Sequence, residues 1–172
     1  MRSFFRRSTG RSLLEPDELT GLDAAVGKAV DPLAVARGDG ALVVATRGCM
    51  AVSREGRWQV VPWDEILNGG WDAPSTTLRW SLLDGTRESV QLGDPAELPG
   101  VFIERIQASI VVQKRFEIPG ELGTIVISGR RNPARADDLR WMVQPIGRTD
   151  LADPEVRRVA TAETENLKRE YE

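Results

Sequence analysis

Residues 76–92 read TTLRWSLLDGTRESVQL, and no other stretch limits the fold of this chain as strongly. Leu78, Trp80 and Leu82 alternate with Thr77, Arg79 and Ser81, and Asp84-Gly85 follows. Side chains two apart share one face of a strand, so this period places the apolar residues together. Asp-Gly supplies the backbone that a tight hairpin turn demands. The segment predicts an antiparallel hairpin with one apolar face, and such a face needs a second layer to cover it.

The preceding stretch supplies strands for that layer. PLAVARGDGALVVATRGCMAVSREGRWQVVPW is rich in Val and Ala and is cut by Asp39-Gly40 and Glu55-Gly56. Those turns divide it into expected strands at 33–37, 41–47, 49–54 and 57–62. Pro62 ends the run, and PWDEI at 62–66 reads as a corner with a single helical turn. After Asp94-Pro95 and Leu98-Pro99 the period changes. In GVFIERIQASIVVQKRF, Phe102, Ile106 and Ile110 stand four apart, and Ile103, Val111 and Val112 widen the stripe. This predicts an amphipathic helix reaching residue 116 and lying against the sheet.

Flanking elements complete the pattern. Pro16, with Leu19, Leu22, Val26 and Val30 at helical spacing, predicts a short helix over 15–30. Strands are expected at 123–131 and 139–145. A last helix opens with Asp153 as cap and Pro154 in the first turn. It carries a thin apolar seam of Val156, Val159, Ala160, Leu167 and Tyr171.

Several strands followed by one long amphipathic helix resemble the bacterial PH-like, or GRAM-like, domains over residues 31–116. The resemblance is carried by ALVVATRGCMAVSR, by the VPWDEI corner and by the LRWSLLDG hairpin. It implies an α+β chain: a PH-like antiparallel β-sandwich or barrel capped by an amphipathic helix. An extra N-terminal helix, an added β-hairpin and a C-terminal helix surround it. The expected divisions are a basic mobile head at 1–14, the helix at 15–30, the PH-like domain at 31–116, a β extension at 117–152 and the C-terminal helix at 153–172. PH-like folds dock lipids, peptides or proteins, so the resemblance implies a non-enzymatic binding or adaptor role. Arginine outnumbers lysine 20 to 3, which fits a GC-rich, actinobacterial type of genome.

Composition removes several chemistries. Histidine is absent, and with it go Ser-His-Asp and Cys-His catalysis and nearly all zinc sites. Cys49 is the single cysteine, so no intrachain disulfide forms, and its strand pattern marks it as a buried small hydrophobe. No Gly-rich phosphate loop and no Ca²⁺-binding loop occurs. Gly38-Asp39-Gly40 and Gly69-Gly70 read as turns. No cofactor is expected. A carboxylate-based enzyme remains an alternative, and it would require Asp64, Glu65, Glu88 or Glu104 to converge in a pocket.

The net charge of −3 argues against a nucleic-acid partner. Residues 1–12 nevertheless carry +4, leaving −7 for the rest. Arg2, Arg6, Arg7 and Arg11, with Phe4 and Phe5, are therefore candidates for weak contact with an anionic membrane. Arg6 and Arg7 interrupt any signal-peptide core, so a cytoplasmic protein is expected, peripheral at most to the inner membrane face. Among five tryptophans, Trp71 follows Gly69-Gly70 and is the candidate ligand-facing aromatic. A protein partner is expected. A second alternative is a structural subunit that assembles through the C-terminal helix.

Overall fold

The structure is a computed structural model and describes residues 10–172. Among these described residues it is mixed α+β, with three antiparallel sheets and three α-helices and no closed barrel. The chain divides after Gln107 into two compact units, the second running from Ala108 to Glu172.

In the first unit, β1 (Ala34–Gly38), β2 (Ala41–Ala45), β3 (Cys49–Arg54) and β4 (Arg57–Pro62) form a four-stranded meander. The hairpin turns fall where Asp39-Gly40 and Glu55-Gly56 place them. Glu55 and Gly56 both have positive φ, 51° and 77°, as a two-residue turn matched to strand twist requires. A 3-10 turn at Trp63–Glu65 makes the corner. There follow β5 (Ile66–Asp72), β6 (Thr77–Leu82) and β7 (Arg87–Gln91), a second meander in the order β5-β6-β7. Near its end, Arg37 of β1 bridges to Asp94, so the sheets meet at one corner.

The strand β5 corrects the reading of Gly69-Gly70 as a turn. Both glycines lie mid-strand, opposite Trp80 and Arg79. Gly69 is needed there for clearance. A Cβ at that position would stand 2.7 Å from Phe102 Cζ and 2.5 Å from the Arg79 carbonyl oxygen. Phe102 belongs to α2 (Leu98–Ser109), whose Leu98, Phe102 and Ile106 are buried in the core between the two sheets. Phe102 meets Trp63 edge to face at 6.0 Å between centroids.

The helix ends at Ser109, not at 116, and β8 (Ile110–Ile118) begins at once. Its β-branched Ile110-Val111-Val112 run favours extended backbone, and from Val112 onward buried and exposed positions alternate. Period two therefore overrides the apparent continuation of the helical stripe.

The helix α1 (Pro16–Val26) covers the far side of the first sheet. Glu15 and Glu18 close a reciprocal capping box, and Gly27 ends the helix at φ 80°. Leu22 packs with Leu42, Val44 and Ala51, while Val43, Met50 and Val52 face the core between the two sheets. Leu14, expected in a mobile head, is buried in this same cluster.

In the second unit, β8, β9 (Gly123–Arg130) and β10 (Arg140–Ile146) form an antiparallel sheet in the order β10-β9-β8. The helix α3 (Pro154–Tyr171) packs against it through Val156, Ala160 and Leu167, over Ile118, Ile125 and Ile127. Asp153 caps α3 by accepting from the Glu155 and Val156 amides. The segment expected as a β extension and the C-terminal helix thus build one unit together, and residues 108–116 belong to it.

Candidate docking surfaces

Depressions lined by described residues lie on each unit. One, about 590 Å³, runs between α1 and the turn ends of the first sheet. Four glycines (Gly21, Gly38, Gly40 and Gly56) leave its walls low, and Trp58 supplies an aromatic side. The Trp58 indole lies close to helix α1 because residue 21 has no side chain; a Cβ there would stand 2.6 Å from Nε1. Asp17, Glu18 and Glu55 bring negative charge, and among the described residues Arg37 is the one cation lining the depression. Arg37 is already engaged. Its guanidinium donates to both Glu18 oxygens, at 2.5 and 2.7 Å, and to the Leu13 carbonyl at 3.1 Å. The hydrogen bond from Arg37 holds the Glu18 carboxyl below the ordinary range, and Glu18 raises Arg37 in turn. The groove therefore keeps an acidic lip at Asp17 and at Glu55, the latter in a highly exposed pair with Arg57 at 3.4 Å.

The second depression, about 410 Å³, lies on the β5-β6-β7 sheet and is lined by Arg79, Ser81, Arg87 and Ser89 among others. Arg79 stands opposite Ser89, and Ser81 opposite Arg87. Arg79 reaches Asp72 at 3.3 Å, and the Ser81 hydroxyl donates to Asn68 at 2.6 Å. The third, about 370 Å³, is an apolar groove on the second unit between β10 and α3.

The residues singled out from the sequence do not gather at any of these. Arg2, Phe4, Phe5, Arg6 and Arg7 lie outside the described residues. Arg11 is tied into the first unit, donating to the Val30 carbonyl at 2.6 Å and to Asp23 at 2.9 Å. Trp71 stands opposite Leu78 and packs, half-buried, against the core of the first unit. It lines none of the three depressions.

The carboxylates proposed as an acid–base set are dispersed in role. Asp64 is buried in the corner turn, Glu104 is exposed and pairs with Arg105, and Glu88 accepts from Gln59 at 2.8 Å. Among the described residues no group of three His, Cys, Asp or Glu is placed to hold a metal ion.

Cys49 is buried in a small knot of hydrogen bonds. Its amide donates to Thr46 Oγ1 at 3.1 Å, and that hydroxyl donates back to the Cys49 carbonyl at 2.9 Å. Burial pushes its thiol upward, so it stays protonated at neutral pH and is a poor nucleophile. Trp63 Nε1 donates to the Thr46 carbonyl at 2.9 Å, which fastens this turn to the core.

Sequence reading found the turns that border the first groove, but not the groove. Gly21 and Trp58 are distant in sequence, and only the docking of α1 on the sheet brings them together. No family model, curated protein or solved structure matches this chain. Among the described residues, no helix is long and apolar enough to cross a membrane.

Proposed function

We propose that this protein is a non-catalytic docking module whose first unit is a PH-like sandwich. The chain order of that unit supports the reading: a four-stranded meander, a three-stranded meander, then a helix whose Phe102 enters the core between them. In this reading the groove between α1 and the first sheet receives an extended protein segment bearing a basic side chain.

One observation carries the proposal: an aromatic side chain and an acidic lip share one depression of about 590 Å³, while its cation Arg37 is held by Glu18. A lysine or arginine beside Trp58 gains cation–π attraction together with the charge of Asp17 and Glu55. The glycine edges let a peptide backbone approach closely. An anionic lipid headgroup would meet the same carboxylates as repulsion.

A peptide array probed with the full chain tests this. Peptides with Lys or Arg should be retained, and Glu55→Lys, at a highly exposed position, should release them without loss of fold. Retention of acidic peptides in equal measure, or of none, would overturn the reading. Flotation with anionic vesicles should leave the chain in the protein fraction.

A further inference from the structure

The apolar groove on the second unit carries a pattern of its own. Val143 and Leu151 form one wall, and the face of α3 around Ala160 and Thr164 forms the other. Thr164 donates its hydroxyl to the Ala160 carbonyl at 2.7 Å, so its polar capacity is spent within the helix and its methyl can face the groove. Leu151 is exposed at the rim.

Three exposed residues continue this wall along the helix: Arg157, Thr161 and Glu165. They are spaced four apart, so they form one stripe running positive, neutral, negative. Arg157 and Glu165 are equidistant from Thr161, four residues on either side. The rise of a helix puts each about 6 Å from it along the axis.

Such a stripe is its own complement under a two-fold axis. If a second α3 lies antiparallel with Thr161 on the axis, Arg157 of each copy faces Glu165 of the other. Arg157 gains an opposite partner, and Glu165, held by Lys168 of its own helix at 2.9 Å, gains a second one with its other oxygen. Small side chains let the helices approach, and antiparallel packing also opposes the helix dipoles favourably. A parallel arrangement in the same register would set like charges together.

We propose that this groove is a self-association surface, occupied by α3 of a second copy in an isologous, antiparallel contact centred on Thr161. One 18-residue helix and a groove of about 370 Å³ make a small interface. The dimer is therefore weak and forms at tens of micromolar or above, at roughly the lower end of specific protein contacts.

Sedimentation equilibrium of the full chain over a wide concentration range reads the assembly directly. The mass should rise from 19.0 kDa toward twice that value with concentration. Arg157→Glu and Glu165→Arg, made singly, each turn two symmetric attractions into repulsions and should weaken association by about tenfold or more. The double swap restores opposite charges across the axis and should return association to near the original. A second test uses geometry. Thr161→Cys places two thiols face to face at the axis and should give a covalent dimer on mild oxidation. Ala162→Cys, exposed one position round the helix, should not. The native Cys49 is buried and does not interfere. A strict monomer at all concentrations, single swaps without effect, or crosslinking at 162 in preference to 161 would each overturn the proposal.

Discussion

The two sheets of the first unit are built from similar lengths of chain but meet water differently. The β1–β4 sheet is covered twice, by α1 on one face and by the core it shares with the second sheet on the other. Its central strands read ALVVA and CMAVSR, near-continuous apolar runs. The β5–β7 sheet is covered once. Leu78, Trp80 and Val90 face the core, while Arg79, Ser81, Arg87 and Ser89 line an open depression on the sheet. The difference shows that strand patterning records how many faces are buried, not only that a strand exists.

Substitutions can sharpen or break that comparison. Phe102→Ala removes the side chain that Gly69 was cleared to receive and should cost about 3–5 kcal/mol in urea unfolding. A loss below about 1 kcal/mol would mean that α2 does not close the core between the two sheets. Leu22→Ala tests the second cover of the first sheet. Leu22 is fully buried under α1, and its truncation should cost about 2–4 kcal/mol. If it costs almost nothing, the β1–β4 sheet is no more protected than its neighbour.

Asp23→Asn should have a smaller effect with a defined pH dependence. Asp23 accepts from the Val30 amide at 3.0 Å and from Arg11, and these bonds, the amide foremost, hold its carboxyl below the ordinary range. A carboxylate with a lowered folded value adds stability that is present above its unfolded value, about 3.9. That contribution fades as pH falls through the lower folded value. The melting temperature of Asp23→Asn should therefore lie below that of the parent at neutral pH and converge with it in strong acid. A constant gap across pH would refute the assignment. Smallest of all, Arg79→Ala on the open face of the second sheet should change stability by no more than about 0.5 kcal/mol. A larger loss would show that this face is covered after all.

Much of the first unit was legible from sequence because its turns use residues with few alternatives. Asp39-Gly40, Glu55-Gly56 and Asp84-Gly85 each mark a hairpin, and the Leu78/Trp80/Leu82 alternation sets its own register. Two features misled. Gly69-Gly70 carry a turn signature, yet here the missing side chain at Gly69 serves the docking of Phe102, a demand made by a helix that begins only at Leu98. Ile110 to Val112 prolong a helical stripe by position but are β-branched, and the pairing of β8 with β9 decides their state. Arg11 read as part of a solvated head because its partners, Asp23 and the Val30 carbonyl, are set by tertiary structure. The grooves were illegible for the same reason: each is formed by elements that meet only after folding.

Double coverage of the first sheet has a consequence for how the unit breathes. The β2–β3 hairpin has a strand on each side and a layer above and below, so its amides have no short route to solvent. Deuterium should enter them last, through opening of the whole unit rather than local fraying. Outer strand β7 should label early, and a β7 amide outlasting those of Val43 and Val52 would contradict this ranking.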